Sequence, residues 1–124
     1  MEEGESYCMT DLGRAVNLIH EGLHQLLPVN ATTSLAENQG PQHKKMRTDE
    51  DLAGKFKEML TDFKSDLKPE EVDLLFMYGL ATDQMIDDYA RKYLDLKNIS
   101  DEKRTEIWKQ IRSDQNKLIY EKSN

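Results

Sequence analysis

Apolar residues between Thr48 and Tyr120 recur at steps of three and four in four successive runs, and each run opens on a helix start signal. That period puts one stripe on each helix and leaves no alternating pattern for a strand, so the sequence predicts an all-α fold. Thr48-Asp49-Glu50-Asp51 offers a hydroxyl cap with an acid three residues on, ahead of the stripe Leu52, Phe56, Met59, Leu60, Phe63 and Leu67. Pro69-Glu70-Glu71 is a first-turn proline with acids at the positive end of the helix dipole, ahead of Val72, Leu75, Phe76 and Leu80. Thr82-Asp83 caps the run Met85, Ile86, Tyr89, Ala90, Tyr93 and Leu94. Asn98 and Ser100 then punctuate before Asp101-Glu102 starts the last run, Ile107, Trp108, Ile111, Leu118 and Ile119, which Gln115 interrupts. Short connections between such stripes specify a small helical bundle of four helices over residues 48–121. The aromatic and methionine side chains fall at helical spacing, which assigns them to its core.

Upstream of the bundle, Thr10 is a cap for the stripe Leu12, Val16, Ile19, Leu23 and Leu26, and Pro28 ends it. This predicts a separate amphipathic helix over residues 11–27. Its glycines, Gly13 and Gly22, each cost about 1 kcal/mol relative to alanine, so the helix needs a surface to lie on. That surface is either the bundle or a groove on a protein partner. Residues 1–10 are acidic and without period, which predicts a disordered start; residues 28–47 run through Asn, Thr, Ser, Gln and Gly40-Pro41, which predicts a flexible linker, and 122–124 form a tail. The candidate partner-binding residues are Leu12, Val16, Ile19, Leu23 and Leu26, joined by Met77 and Tyr78 at the margin of their helix's stripe.

A net charge of −7 opposes sequence-independent binding to nucleic acid or to anionic membrane. No apolar run reaches the roughly 20 residues of a membrane span. The start Met1-Glu2-Glu3-Gly4-Glu5 lacks the basic and apolar regions of a signal peptide, and the single cysteine, Cys8, cannot close an internal disulfide. These features lead to the expectation of an intracellular protein, cytoplasmic or nuclear. The basic cluster His43-Lys44-Lys45-Met46-Arg47 is the one positive concentration in the chain. Within it Lys44, Lys45 and Arg47 fit the minimal nuclear-import pattern, an extended basic strand read by acidic grooves on a carrier.

His20-Glu21-Gly22-Leu23-His24 resembles the His-Glu-x-x-His motif of zinc metallopeptidases, whose two imidazoles one turn apart bind the metal while the glutamate activates its water. A catalytic zinc needs a third protein ligand. The metzincin continuation is absent, because Asn30 and Leu27 stand where it has histidine and glycine, which leaves Glu37 and His43 in the expected linker. On a helix centred on Ile19 and Leu23, His20 and His24 lie about 70° and 110° round from the stripe and read as boundary residues. The expectation is therefore no catalytic residue and no cofactor, with His20 and His24 as the ligands if zinc binds at all.

Pro69-Glu70-Glu71, Tyr78-Gly79-Leu80, Ile86, Tyr89-Ala90 and Leu94, followed by a polar helix with Lys103, Arg104, Lys109 and Arg112, resemble the helix-turn-helix of sigma-factor region 4. The resemblance implies a recognition helix reading DNA. It departs from the family at the turn, where Tyr93 to Ser100 is longer and lacks glycine, and on the last helix, where Asp101, Glu102, Glu106 and Asp114 oppose phosphate. The sequence is therefore read as a non-catalytic protein–protein interaction module, a regulatory adaptor or subunit of a larger complex. A helix-turn-helix-like DNA-binding regulator and a small zinc hydrolase are the alternatives.

Overall fold

The computed structural model describes residues 7–25 and 35–122. In chain order they form β1 (Tyr7–Met9), α1 (Asp11–Gln25), α2 (Leu35–Thr48), α3 (Glu50–Phe63), α4 (Pro69–Met77), α5 (Asp83–Tyr93), α6 (Asp101–Ile119) and β2 (Tyr120–Lys122). Among the described residues the fold is all-α apart from one two-stranded ribbon. No helix among the described residues is long and apolar enough to cross a membrane.

Local signals set most helix starts. Thr10 Oγ1 accepts from Gly13 N at 2.9 Å, Thr82 Oγ1 from Met85 N at 3.3 Å and Ser100 Oγ from Lys103 N at 3.1 Å, each satisfying an amide left over by the first turn. Pro69 opens α4 as expected, and the Glu71 carboxylate reaches back to the Lys68 amide at 2.9 Å. At α3 the cap moves by one residue. Asp49 accepts from Asp51 N and Leu52 N, whereas Thr48 ends α2 and donates its hydroxyl to Lys44 O at 2.8 Å.

Three upstream expectations are corrected. Within the expected disordered start, of which residues 1–6 lie outside the described residues, Tyr7–Met9 form a strand: β1 runs antiparallel to β2, with Tyr7 opposite Lys122, Cys8 opposite Glu121 and Met9 opposite Tyr120. Next to this ribbon the Thr10 hydroxyl donates to Leu118 O at 2.8 Å and to Ile119 O at 3.0 Å, occupying carbonyls that the end of α6 cannot use itself. The second correction concerns the linker, which is helical from Leu35 to Thr48. Finally, the described helices number six where four and a separate one were expected, and of the two surfaces left open to α1 it lies on the bundle.

Two apolar clusters hold these helices together. The first joins Leu12, Val16, Ile19 and Leu23 of α1 and Met46 of α2 to Phe56 and Leu60 of α3, Val72, Leu75 and Phe76 of α4, and Ile119 of α6. The second joins Leu74 and Met77 of α4, Ile86, Tyr89 and Ala90 of α5, and Ile107 and Ile111 of α6. Short α4 lies between them, which explains why it is apolar on nearly every side. Gly79 then turns the chain at φ 79°, a left-handed conformation that glycine adopts without strain. Gln115, which interrupts the apolar stripe, is buried and donates Nε2–H to Leu74 O at 2.8 Å, cross-linking α6 to α4. Met59 and Phe63 depart from the predicted core and stand about half exposed beside exposed Leu18.

Candidate metal centre

His20 and His24 lie one turn apart on α1, at the boundary between its buried stripe and solvent, and both are half-buried. Met46, fully buried, anchors α2 against this region, and Gln42, one turn earlier, is buried on the same side. Between them in sequence, His43 is carried onto the two α1 imidazoles. Its Nε2 lies 3.2 Å from His20 Nε2 and 3.0 Å from His24 Nε2, and the two α1 nitrogens are themselves 3.0 Å apart. The rings meet at 55°, 65° and 60°, tilted about a shared point rather than stacked.

This geometry suits a bound cation. Three imidazole nitrogens on a tetrahedral zinc at roughly 2.0–2.1 Å are about 3.3–3.4 Å apart, and on one face of an octahedral ion about 2.9 Å apart. The observed separations fall between those limits. His20, His24 and His43 would hold such an ion through their Nε2 atoms, and three neutral nitrogen donors would leave it able to act as a Lewis acid.

The tautomer is also set. His24 Nδ1 lies 2.6 Å from Gln42 Oε1, an oxygen that only accepts, so Nδ1 carries the proton and Nε2 presents its lone pair to the cluster. Burial, followed by the neighbouring charges of His24 and His43, lowers the His20 pKa to about 4 against a smaller opposing effect of Glu21. Burial, His24 and Arg47 lower that of His43, again opposed by Glu21. Metal ligation needs neutral imidazole, and both shifts favour that form. The Gly79 turn backs the site, since a Cβ built there would stand 3.6 Å from His20 Cε1. Arg47 Nη1 donates to Leu80 O at 3.2 Å and ties the end of α2 to the same turn.

The other candidate residues are placed differently. Leu12, Val16, Ile19 and Leu23 are buried in the chain's own core, and Leu26 lies outside the described residues. Met77 is buried in the second cluster, while Tyr78 is half-buried against the first. None of the buried residues offers a surface to a partner in this conformation. The basic cluster is helical rather than extended: Lys44 and Lys45 are exposed, but Met46 between them and Arg47 is fully buried. On the presumed recognition helix, Arg104 is held by both oxygens of Asp87, at 2.8 and 2.9 Å, and by Asp101 at 2.8 Å. Further along the same face, α6 is spent on Ile107, Ile111, Gln115 and Ile119.

The sequence supplied two ligands and named the third only as one of two linker residues. The side chain of the other, Glu37, lies outside the described residues. The available signal was local and weak: Gln42 and Met46, four apart, flank His43 at helical spacing. Compared with protein-family models, curated proteins and solved structures, the chain matches none.

Proposed function

We propose that this protein is a metal-binding interaction module, in which one divalent first-row transition ion, zinc foremost, is held by His20, His24 and His43 and staples α2 to α1. The observation that carries this reading is the convergence of three Nε2 atoms from two helices to within 3.0–3.2 Å. An all-imidazole donor set selects zinc, copper or nickel over magnesium and calcium, which require oxygen ligands. A non-catalytic role is supported by what surrounds the cluster. Among the described residues, the groove beside α6 and the smaller one between α1 and α3 are both lined by residues other than the three histidines.

Glu21 supports a second reading. It follows His20 directly, at the position that the His-Glu-x-x-His pattern gives to the base for metal-bound water. The two readings separate in one set of measurements. Protein stripped with chelator and titrated with Zn²⁺ takes up a single ion, and His24→Ala or His43→Ala abolishes uptake. Gln42→Ala keeps every ligand but loses the orienting bond, and weakens affinity about 10–100-fold. Stoichiometric uptake that survives His43→Ala refutes the centre. Zinc-dependent ester or peptide hydrolysis lost in Glu21→Gln replaces the module with a hydrolase; binding without turnover retains it.

A further inference from the structure

We propose that the groove between α6 and the β1–β2 ribbon binds a short single-stranded nucleic acid, independently of the metal centre. The groove is open, about 1050 Å³, and larger than most sites for one small molecule. Its lining reverses the character of the chain. Lys109, Arg112, Lys117 and Lys122 line it with a single acid, Glu121, in a protein of net charge −7. Three aromatic residues, Tyr7, Trp108 and Tyr120, line it as well. Cations beside aromatic rings are what a single strand needs, because phosphates meet the cations while unstacked bases lie on the rings.

The cations are placed for such a ligand. Neither Lys109 nor Arg112 forms an ion pair among the described residues, whereas Lys103 and Arg104, one to two turns earlier on α6, are paired with carboxylates. Arg112 instead lies over the Trp108 ring at 5.6 Å, ordered with its donors uncommitted to a carboxylate. Lys117 has only a long, exposed pairing with Asp114 at 3.9 Å, and from Lys109 to Lys117 the helix rises about 12 Å, so these side chains can meet successive phosphates rather than one. A carboxylate-rich peptide would also satisfy the cations, but it would give the three rings nothing flat to stack on. The acidic remainder of the surface confines phosphate contacts to the groove. About three contacts correspond to a log–log salt slope near −2 for a single strand.

Trp108 is the only tryptophan in the chain, so its fluorescence reports the groove directly. The full chain is titrated with a short oligothymidylate, read by Trp108 emission and by anisotropy of a labelled oligomer. The expected result is saturable quenching with the shallow salt slope above. Affinity should fall about tenfold or more when Lys109→Ala and Arg112→Ala are combined, and stay unchanged in Lys103→Ala. No saturable change in either readout, or full affinity in the combined variant, overturns the proposal. Equally tight binding of an oligoglutamate peptide also overturns it, and makes the groove a docking site for acidic protein segments.

Discussion

One methyl group separates the two glycines of α1. At Gly13 a Cβ would stand 2.7 Å from the Ile119 carbonyl oxygen and from Met9 Cγ, and 2.9 Å from Ile119 Cγ2, because α1 crosses the end of α6 there. At Gly22 nothing lies within 4 Å. Sequence propensity charges both positions the same helix penalty, and only the crossing shows that the first is required. Gly13→Ala should therefore lower stability by about 1–3 kcal/mol, since a backbone oxygen has to shift. Gly22→Ala should raise it by about 0.5–1 kcal/mol and leave zinc affinity untouched. Urea midpoints of the two variants check this. A Gly13→Ala protein as stable as the parent would mean that the helices do not meet so closely.

At the scale of elements, α2 and the junction of α3, α4 and α5 are the parts the sequence concealed. A periodic stripe reveals a helix; α2 has none, because its described part is held by Met46, Gln42, His43 and Arg47 rather than by a continuous apolar face. A helix held this way depends on what the imidazoles bind. Zinc at 100 times its dissociation constant would add about 2.7 kcal/mol to the folded state. Chelation should accordingly raise amide exchange over residues 42–48 and open tryptic sites at Lys44, Lys45 and Arg47, while α6 stays protected. Equal protection with and without zinc would show that packing alone holds α2. The second junction centres on Asp73 of α4, which meets Lys57 of α3 at 3.1 Å, Lys92 of α5 at 3.2 Å and the Tyr93 hydroxyl. Burial alone would raise its pKa, but the Tyr93 hydrogen bond, Lys57 and Lys92 together bring it below the ordinary 3.8. Arg104 lowers that of Asp87 in the same way. Because the folded-state values are depressed, their stabilisation is present above pH 3.8 and is lost as pH falls through the lower folded values. Urea midpoints should drop in that acid range, and Asp73→Asn should flatten the drop.

For the whole molecule, the all-α class was legible because caps and stripes are local: Thr10, Pro69, Thr82 and Ser100 each open the helix they announced. What could not be read was which stripe meets which. Leu12, Val16, Ile19 and Leu23 present the same pattern whether they lie on the bundle or on a partner, and His43 joins His20 and His24 only through tertiary packing. The structure puts α1 inside the first cluster, against Phe56, Leu60 and Leu75, and the Thr10 hydroxyl and β1 bind its start to the end of α6. Removing α1 and α2 would take from the core five buried side chains, Leu12, Val16, Ile19, Leu23 and Met46, at about 1.5–3 kcal/mol each, a total on the order of 10 kcal/mol. That equals the whole stability of an ordinary domain. A fragment beginning at Thr48 should therefore keep helical circular dichroism while losing the near-ultraviolet signal of Trp108 and any cooperative unfolding. Adding residues 1–47 as a separate peptide should restore both, and a fragment that unfolds cooperatively at the parental midpoint would mean that α4, α5 and α6 carry the fold without α1.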